Sequence, residues 1–518
     1  MKKINILWTD DEIDLLKPHI LFLEEKGYNI VTANNGDDAI NLVKLQNFDI
    51  IFLDENMPGL SGLETLNKIN SLSPNIPVVM ITKSEEEDIM DEAIGSKIAD
   101  YLIKPVNPKQ ILLSIKKNID NIKLITKKTT SAYQAEFGKI GMLINSSFSF
   151  NDWVEIYKKL IYWELELEKF NDPGMNEVML MQKTEANHAF YKFIKKNYFS
   201  WFDEKTENKP LLSPNIFRHK IFPLLKNNQK VVVFLIDNLR FDQWKTICPE
   251  IQEYLQLDNE EIFCSILPTS THYARNAMFA GLMPYEIEKM NPDLWLNEEE
   301  EGGKNLHEKE LLRRQIARQG MNLNFTYEKV NNLKTGKKLV ENFSSFLNKE
   351  LTIVVYNFVD MLSHARTEFE MIRELANDES AYRSLTLSWF RHSHLLDLIK
   401  ELGKQAVKIV ITTDHGTIRV NNPIKVVGDK KTTTNLRYKQ GKNLKYDPKE
   451  VFEIKQPSMV HLPKTHVSSS YIIATTDDFF AYPNNYNYYV NYYKNTFQHG
   501  GISLEEMLIP VAVLSANP

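Results

Sequence analysis

Two separate parts of the chain alternate short apolar runs with amphipathic stretches, and this alternation limits the folds that the chain can adopt. In residues 1–120 the apolar runs are INILW, YNIVTA, DIIFLD, PVVMIT and YLIK, and the stretches between them predict helices near 12–26, 36–46, 60–70, 85–95 and 107–125. Strands that alternate with helices form a parallel sheet with helices on both faces. The sequence therefore predicts an α/β fold whose first domain, residues 1–120, is a doubly wound (βα)5 unit.

Polar side chains follow these apolar runs, at the carboxyl ends where the functional residues of a parallel sheet gather. Asp10 and Asp11 follow the first run, Asp54 ends the third, Thr82 the fourth and Lys104 the fifth. Clustered carboxylates repel one another unless a cation joins them, and an all-oxygen site favours Mg²⁺. Asp54 precedes a Pro-Gly turn and is a candidate phosphoryl acceptor, beside a lysine and a threonine that suit phosphoryl oxygens. The alternative is a set of unrelated helix N-caps.

This segment closely resembles the receiver domain of two-component response regulators. The resemblance implies that Asp54 is the phosphorylation site and that Asp10, Asp11 and Asp54 bind Mg²⁺. It also implies that Thr82 and Lys104 are switch residues, and that Tyr101 is the aromatic residue whose burial changes on activation. A sensor histidine kinase is the partner that such a domain implies.

Residues 121–212 contain few β-branched runs and several helical patterns. Within NDWVEIYKKLIYWELELEKF, apolar side chains recur every three or four residues, at Trp153, Ile156, Leu160, Trp163 and Leu167. Such a stripe is typical of a helix with one buried face. MNEVMLMQKTEANHAFYKFIKKNYFSWF predicts a further helix. We expect a central helical bundle that links two larger domains and carries no chemistry of its own.

Residues 213–518 return to alternating strands and helices, which predicts a second and larger α/β domain. The predicted strands are KVVVFLID, EIFCSILPT, TIVVYNFVD and KIVITTDH, and helices are predicted over EKELLRRQIARQG and around 368–403. Potential metal ligands lie at or beyond the ends of apolar runs, at Asp237, Thr271, Asp360, His364, Asp414, His415 and His499. Carboxylates, imidazoles and one hydroxyl suit a pair of zinc-like ions that clamp a phosphate, so we expect a metal-dependent hydrolase.

The hydroxyl at Thr271 is the candidate nucleophile of this site. A threonine is a poor nucleophile at its ordinary pKa, and a bound metal lowers that pKa. Attack on phosphorus would give a phosphothreonine that water then hydrolyses. Thr269 and Ser270 are neighbouring hydroxyls in the same segment, LPTST, so the residues alone leave the choice of nucleophile open.

The order Asp, PTxT, D-x-x-x-H, DH and His resembles the alkaline phosphatase superfamily, in particular its nucleotide phosphodiesterase-like and PglZ branches. The resemblance implies an alkaline-phosphatase-like domain over residues 213–518, with the second threonine of PTxT, Thr271, as nucleophile. Two zinc ions are implied, one held by Asp237, Thr271, Asp414 and His415, and the other by Asp360, His364 and His499.

The substrate is predicted from charges and aromatic residues around this pattern. Monoesterases of the superfamily usually add cationic contacts; Arg240 and Arg275 are the candidates for substrate binding here, and a diester is preferred. Residues 425–445 are rich in lysine, and residues 482–493 contain six tyrosines. Cations beside stackable aromatic rings suit a short single-stranded nucleotide chain. The alternative is a solvated hairpin and a tyrosine-rich core or interface.

Composition narrows the class of protein further. The net charge of −6 gives no general signature of nucleic-acid binding, and two cysteines cannot form a disulfide framework. The apolar runs have strand length, far below the roughly 20 residues of a membrane helix, and the N-terminus does not fit a signal peptide. We therefore expect a cytoplasmic protein.

Taken together, a receiver, a helical linker and a PglZ-like domain resemble the PorX response regulators, which are associated with type IX secretion and gliding. The resemblance implies control of secretion genes, with a sigma factor as candidate partner, and phosphodiesterase action on oligonucleotides. Receivers commonly signal by dimerising, so a phosphorylation-dependent homodimer is a further hypothesis. The alternatives are a non-catalytic regulator that uses the phosphatase-like domain as a binding platform, and a monoesterase.

Overall fold

The computed structural model describes residues 4–73, 76–83, 98–147, 149–170, 173–203, 205–368, 378–429 and 432–517, without the side chains of 120–127, 173, 227–228, 346 and 364–368. The chain forms two compact units, residues 1–136 with 169–172, and residues 137–168 with 173–518. The helix predicted near 85–95 lies outside the described residues. Within them, no helix combines the length and the apolar character needed to cross a bilayer.

The first unit contains a parallel sheet of five strands in the order β2-β1-β3-β4-β5. The strands are β1 (Asn5–Thr9), β2 (Asn29–Ala33), β3 (Ile50–Asp54), β4 (Val78–Thr82) and β5 (Asp100–Ile103). The helices are α1 (Lys17–Glu25), α2 (Gly36–Leu45), α3 (Gly62–Leu72) and α4 (Pro108–Ser146), and a 3-10 turn, Ile13–Leu16, precedes α1.

Alternating side chains of these strands form two cores, one on each face of the sheet. On β1, Ile6 and Trp8 join the core that includes Leu23 of α1 and Ile111 of α4. Leu7, which points the other way, joins the core that includes α2 and α3. Successive strand residues face opposite sides, so a sheet buried on both faces must be apolar at every position. The predicted doubly wound (βα)5 fold is confirmed.

The helix α4 is longer than the sequence indicated. We predicted its end at residue 125, whereas it continues to Ser146. The first glycine after the sheet is Gly138, and the helical segment has no proline after Pro108, so nothing in its sequence ends the helix earlier. The boundary between the two compact units, at residue 136, lies within this helix. The domain boundaries at 120 and 212 stay predictions.

In the second unit, the end of α4 is followed by two helices, α5 (Phe150–Glu168) and α6 (Pro173–Asn197). The predicted apolar stripe of α5 faces a core: Trp153, Ile156, Leu160 and Leu167 are buried, and Trp163 is half-buried. The Trp153 indole lies edge-on to Phe190 of α6, with ring centroids 5.4 Å apart. The aromatic residues of this region therefore act as helix-packing residues, as predicted. A 3-10 turn, Tyr198–Phe202, ends the second helix.

A mixed sheet of six strands forms the centre of the second unit, in the order β7-β18-β10-β6-β9-β8. The strands are β6 (Lys230–Ile236), β7 (Leu255–Cys264), β8 (Phe325–Val330), β9 (Leu351–Tyr356), β10 (Val407–Thr412) and β18 (Leu508–Ala516). Strands β10, β6, β9 and β8 are parallel, and β18 and β7 continue the sheet in antiparallel pairs. Because β6 lies between two parallel neighbours, its carboxyl end adjoins those of β9 and β10.

Helices and short sheets surround the six-stranded sheet. The helices are α7 (Phe241–Gln252), α8 (Asn276–Ala280), α9 (Pro284–Met290), α10 (Glu308–Arg318), α11 (Leu333–Glu341), α12 (Phe343–Phe346), α13 (Phe358–Glu368), α14 (Glu379–Arg391), α15 (His394–Leu402), α16 (Tyr486–Tyr493) and α17 (Leu504–Met507). Short strands are β11 (Ile418–Arg419), β12 (Asn422–Lys425), β13 (Tyr438–Lys442), β14 (Phe452–Ile454), β15 (Ser469–Ile473), β16 (Asp478–Ala481) and β17 (Phe497–Gln498).

Two strand predictions in this unit ran past the observed strand ends, and β7 also begins earlier than predicted, at Leu255. The run EIFCSILPT was predicted as one strand, but β7 ends at Cys264, and the Leu267–Pro268 bond is cis. A proline cannot donate to a strand ladder, so the chain leaves the sheet before it. The run TIVVYNFVD was predicted to end in Asp360, but β9 ends at Tyr356, and Asp360 lies in the first turn of α13.

A buried network of charges joins the two helices of the linker region to the sheet domain within this unit. The Arg383 guanidinium on α14 lies 2.9 Å from carboxylate oxygens of both Glu164 on α5 and Asp242 on α7, and it also pairs with Glu168. Lys183 on α6 adds an ion pair of 2.8 Å with Glu164. Removing one member of such a network leaves a buried charge without compensation. The network therefore fixes these helices relative to one another.

Candidate metal and phosphorylation sites

The carboxylates predicted from the first strand ends converge in the structure. Asp10 and Asp11 directly follow β1, Asp54 ends β3, and each offers a carboxylate oxygen within 4.8 Å of the others. Asp10 and Asp54 are buried, and Asp11 is exposed. Parallel neighbours β1 and β3 end at the same edge of the sheet, which brings these side chains together. An all-oxygen set of this kind fits a hard divalent cation such as Mg²⁺.

Lys104 neutralises part of this acidic cluster. Its Nζ lies 2.8 Å from Asp10 Oδ2 and 2.9 Å from Asp54 Oδ1. Burial raises the pKa of the Asp54 carboxyl, and the lysine opposes that rise only in part. Burial by itself lowers the pKa of Lys104, but its interactions with the two carboxylates raise it above the usual value. The charge of the Asp54 carboxylate is therefore compensated by Lys104. A phosphoryl group on Asp54 would need the same compensation.

Thr82 and Tyr101 adjoin this cluster through β4 and β5. Thr82 is fully buried at the end of β4, and its carbonyl accepts a hydrogen bond of 2.7 Å from the Lys104 amide. Tyr101 is half-buried on β5. Burial raises the pKa of Tyr101, and a hydrogen bond with Thr82 acts in the opposite direction. The structure therefore brings all the predicted switch residues to one edge of the sheet; their switching roles stay predictions.

In the second unit, the ends of β6 and β10 place Asp237, Asp414 and His415 together. Each offers a ligand atom within 4.8 Å of the others, and all three are buried. His415 Nε2 lies 3.7 Å from Asp237 Oδ1 and 3.7 Å from Asp414 Oδ2. The ring is oriented by its other nitrogen, Nδ1, which lies 3.1 Å from the Gly416 carbonyl oxygen. This set can hold a divalent cation.

Two glycines allow the chain to turn sharply after its histidines. A Cβ on Gly416 would lie 2.0 Å from the Glu505 carbonyl oxygen, so only glycine fits after His415. Gly500, which follows His499, has a φ of +119°, a conformation that side chains with a Cβ rarely adopt. The sequences DHG and HGG are thus a steric requirement of the site as well as a ligand pattern.

The Thr271 hydroxyl lies directly against this cluster. Its Oγ1 is 3.1 Å from His415 Nε2 and donates to Asp237 Oδ1 at 3.5 Å. Thr271 begins a π-helical turn, Thr271–Arg275, that continues into α8, and its carbonyl accepts a hydrogen bond of 2.8 Å from Asn305 Nδ2. The hydroxyl therefore faces the same point as the carboxylate and the imidazole.

The second predicted ligand set lies beside the first. Asp360 Oδ1 is 3.6 Å from His499 Nε2, and the His499 ring stacks on the His415 ring, with centroids 4.3 Å apart and planes 17° apart. His364 belongs to α13, one helical turn after Asp360, but its side chain lies outside the described part of the chain. Mixed carboxylate and imidazole donors suit borderline-soft cations of the zinc type. The stacked rings of His415 and His499 thus place the two sets side by side.

Arg275 neutralises the first set from behind. Its guanidinium is fully buried, pairs with Asp237, and lies 3.0 Å from Asp414 Oδ2 and 3.4 Å from Glu308 Oε1. Burial by itself raises the pKa of Asp414, but Arg275, together with His415, lowers that pKa to about 2. For Asp237 burial prevails, and the neighbouring Asp414 and Asp360 add to it, so its pKa lies well above the usual value.

Arg240 is also fully buried, near the second set. It forms ion pairs with Asp242 and Glu379, and its guanidinium lies 5.5 Å from the centroid of the Phe497 ring, on the strand that precedes His499. Arg240 and Arg275 thus form ion pairs with carboxylates of the protein itself. Their contact with substrate stays a prediction.

Three residues that position the site were missed by sequence reasoning. Glu308, at the first position of α10, accepts a hydrogen bond from Arg275, and Tyr327 and Lys329 also contact its carboxylate. In the sequence, an acid at the start of a helix looks like an ordinary cap. Asn238 has a φ of 63° and donates to Asp360 Oδ1 at 3.4 Å, and Asn305 supports Thr271. Only Asn238 had a signal in the sequence: it directly follows the strand-end residue Asp237, and asparagine tolerates the left-handed conformation that a sharp turn there requires.

Comparisons with known proteins agree with this architecture. Three family models match the chain: the response regulator receiver domain over residues 6–116, the PorX response regulator linker domain over 123–202, and the BREX system PglZ alkaline phosphatase-like domain over 216–514.

Curated relatives match a smaller part. The transcriptional regulatory protein ZraR of Klebsiella oxytoca is 32% identical over 140 residues, which cover 27% of this chain and 32% of the relative. The alginate biosynthesis transcriptional regulatory protein AlgB of Pseudomonas syringae pv. tomato is 36% identical over 115 residues, which cover 22% of this chain and 26% of the relative. The chain thus spans a third or less of the length of these relatives.

Among solved structures, the CheY-like receiver domain protein from Methanospirillum hungatei JF-1 has 26% sequence identity and a TM-score of 0.23, and the match covers 23% of this chain and 96% of that one. The PglZ model matches more than half of the chain and contains all the candidate ligands of the second unit. The chain therefore belongs to the PglZ alkaline phosphatase-like family, and its receiver, linker and PglZ domains give it the architecture of a PorX-type response regulator.

Proposed function

We propose that the PglZ domain is a two-zinc phosphodiesterase that hydrolyses nucleotide or oligonucleotide phosphodiesters, under the control of phosphorylation at Asp54. The observation that carries the proposal is the position of the Thr271 hydroxyl, 3.1 Å from His415 Nε2 and 3.5 Å from Asp237 Oδ1. A hydroxyl held against a carboxylate and an imidazole that can bind a metal is the arrangement that an activated nucleophile requires.

Each residue of the site has a stated role in this proposal. Asp237, Thr271, Asp414 and His415 would hold one ion, and Asp360, His364 and His499 the other. When bound, such ions lower the pKa of a coordinated hydroxyl and neutralise charge on phosphoryl oxygens. The Thr271 oxygen releases its proton to solvent and bonds to phosphorus, while the bond from phosphorus to the leaving oxygen breaks and that oxygen takes a proton from water. Water then hydrolyses the phosphothreonine and restores the hydroxyl.

The charges around the site favour a diester over a monoester. A monoester carries more negative charge on its phosphoryl group and needs additional cations. Arg275 is fully engaged by Asp237, Asp414 and Glu308, and Arg240 by Asp242 and Glu379, so the two candidate arginines already balance protein carboxylates. A phosphodiester carries a single negative charge and therefore does not need positive charge from these two arginines.

Regulation is proposed to begin at the receiver. A sensor histidine kinase would phosphorylate Asp54 in the presence of Mg²⁺, and the phosphorylated chain would dimerise. A role in type IX secretion and gliding, with a sigma factor as partner, is proposed from the PorX-type architecture. The second candidate function is a non-catalytic regulator that binds a transcription partner through the phosphatase-like domain. The converging ligand set favours the enzyme, because a binding platform does not need it.

Metal removal provides the direct test of the enzyme. We expect the zinc-loaded chain to hydrolyse bis(p-nitrophenyl) phosphate, and treatment with a chelator to lower the rate by at least about a hundredfold, since metal ions supply several kcal/mol of transition-state stabilisation. Release of nitrophenolate gives the rate, and metal analysis is expected to show that activity returns as two ions bind per chain. The monoester p-nitrophenyl phosphate is expected to have the lower kcat/KM. Full activity in the chelator would exclude the proposed metal centre.

Asp54 provides the test of the receiver. We expect acetyl phosphate to label the wild-type chain, and Asp54→Asn to abolish labelling because an amide cannot form the acyl phosphate. Asp14, an exposed acid that pairs with Lys17, offers the matched control, and Asp14→Asn is expected to label normally. In sedimentation experiments, beryllofluoride is expected to convert the wild type to a dimer and to leave Asp54→Asn unchanged. A wild type that stays monomeric would reject the dimer, and labelling of Asp54→Asn would reject the site.

A further inference from the structure

The helix α16 carries a cluster of tyrosines that the proposed catalytic site does not use. We define the tyrosine array as Tyr488, Tyr489, Tyr492 and Tyr493. Tyr488 is 63% exposed and Tyr489 is 38% exposed, and no residue of α16 is buried. Large exposed aromatic groups on one helix are a feature that soluble proteins generally keep for binding.

The helix is attached to the domain by only part of its surface. Tyr486, Val490 and Tyr493 pack against a small core that includes Val420 and Phe479. The remaining tyrosines of the array are not part of this core, so packing does not explain their type. The tyrosines of α16 therefore lie at the surface rather than in a core, and the alternative of a tyrosine-rich interface stays open.

The rings of the tyrosine array pack against one another. Tyr488 stacks on Tyr492, with centroids 6.1 Å apart and planes 15° apart, and Tyr489 stacks on Tyr493 at 6.2 Å and 13°. The two stacks meet edge to face, at 5.3 Å between Tyr488 and Tyr489. A tyrosine has few rotatable bonds, so such rings offer a flat contact area at low entropic cost.

Two exposed lysines flank the helix that carries the tyrosine array. The exposed Lys425 places its Nζ 5.6 Å from the centroid of the Tyr486 ring at the start of α16, and the exposed Lys494 follows the end of the helix. Residues 479–504 contain neither aspartate nor glutamate. Two cations of the predicted basic stretch, Arg437 and Lys439, are buried, the former in an ion pair with Glu506, whereas Lys430 and Lys431 lie outside the described residues. The surface therefore suits a ligand with aromatic and anionic groups.

The tyrosine array is connected to the candidate metal site by a short, fixed segment. His499 follows Tyr493 by six residues, so the two Cα atoms are at most about 22 Å apart. The segment between them is held in place, since the Asn495 amide donates to the Val420 carbonyl at 2.7 Å and the Phe497 ring stacks on Tyr382 with centroids 4.1 Å apart. A few nucleotides would span this distance.

We propose that the tyrosine array is a stacking platform for the bases of a single-stranded oligonucleotide whose scissile phosphodiester lies at the metal site. This inference deepens the proposed function and rests on it, because it names the part of the substrate that is bound away from the reaction. Bases stack on aromatic rings largely regardless of sequence, and nearby lysines pair with the backbone. Tyrosines are also enriched at protein interfaces, so the lysines that flank α16 are the feature that favours a polyanionic ligand here.

The test measures binding and turnover separately. Fluorescence anisotropy of a labelled eight-nucleotide oligo(dT) gives Kd in the full chain with Thr271→Ala, which prevents cleavage by the proposed nucleophile. Adding Tyr488→Ala and Tyr489→Ala is expected to raise Kd at least about tenfold, because each lost base–aromatic stack weakens binding by about that order. The corresponding phenylalanine substitutions keep the rings and are expected to leave Kd within twofold. Tyr162→Ala, at an exposed tyrosine of α5, is the control for position.

Further outcomes separate the inference from the proposed function. An abasic oligomer of the same length is expected to bind the alanine variant as well as it binds the array-intact chain. Hydrolysis of bis(p-nitrophenyl) phosphate, which has no nucleobases, reports on the metal site. A wild type that turns over this diester while the alanine variant binds oligo(dT) normally would overturn the inference alone. A change of sedimentation without weaker oligonucleotide binding would assign the array to self-association and also overturn it. Failure to turn over any diester would reject the proposed function itself.

Discussion

Replacing Thr271 by alanine is expected to lower kcat for bis(p-nitrophenyl) phosphate by at least about a thousandfold, because loss of a nucleophile removes the covalent pathway. The Thr271 Oγ1 is the hydroxyl that lies 3.1 Å from His415 Nε2 and 3.5 Å from Asp237 Oδ1. Stopped or continuous assays of nitrophenolate release in zinc-loaded protein measure the effect. Metal analysis of the variant is part of the experiment, since the loss must occur with both ions still bound.

Neighbouring hydroxyls provide the matched controls for this prediction. Thr271→Ser keeps a hydroxyl at the same position and is expected to stay within about tenfold of the wild-type rate. Ser270→Ala removes the adjacent hydroxyl, and we expect a rate close to that of the wild type. Thr269 is unsuited to attack, because its buried Oγ1 donates to the Gly501 carbonyl oxygen at 2.8 Å. If Ser270→Ala were inactive and Thr271→Ala active, Ser270 would be the nucleophile.

The same variant separates an enzyme from a binding platform. A chain with Thr271→Ala keeps the carboxylates, the imidazoles and the surface of the domain. If the biological output needs hydrolysis, the variant is expected to lose it in cells along with the diesterase rate. An output that persists in the inactive variant would favour the non-catalytic regulator, with the phosphatase-like domain as a docking surface for a transcription partner.

Strand ends made much of both sites predictable from the sequence. Asp10, Asp54, Asp237 and Asp414 each follow or end an apolar run, and parallel strands that are neighbours end at the same edge of a sheet. The ends of the apolar runs thus indicate where these side chains lie in the sheet without knowledge of distant contacts. The order of β6, β9 and β10 in the sheet follows from those contacts alone, and no local pattern specifies it.

Burial of charge was the property that the sequence did not show. Arg240, Arg275 and Arg437 look like surface cations in the printed chain, yet each is fully buried in an ion pair. Arg275 and Arg437 pair with carboxylates that are distant in sequence, Asp414 and Glu506, so no local spacing predicts those two pairs. Local spacing was sufficient for Asp360. We predicted that β9 extends to Asp360, which was wrong, but the spacing of one helical turn between Asp360 and His364 does not depend on where the strand ends.

Arg275→Met is expected to lower the free energy of unfolding of the metal-free second unit by about 3–5 kcal/mol, the usual cost of leaving buried charges without their partner. Methionine approximates the length of the side chain, so the change removes the charge and leaves most of the volume. The guanidinium pairs with Asp237 and lies 3.0 Å from Asp414 and 3.4 Å from Glu308, and all three carboxylates are almost completely inaccessible. Urea unfolding of the chain in chelator measures the loss.

Zinc is expected to restore part of this stability, because a cation bound by Asp237 and Asp414 replaces some of the lost positive charge. The rise in unfolding midpoint on adding zinc should therefore be larger for Arg275→Met than for the wild type. Arg313→Met, at an exposed arginine that pairs with Glu310 on α10, is the control and is expected to leave both midpoints unchanged. Equal losses with and without zinc would show that Arg275 and the metal do not share these carboxylates. A larger zinc response would instead identify Arg275 as the residue that keeps the ligands in place when no metal is bound.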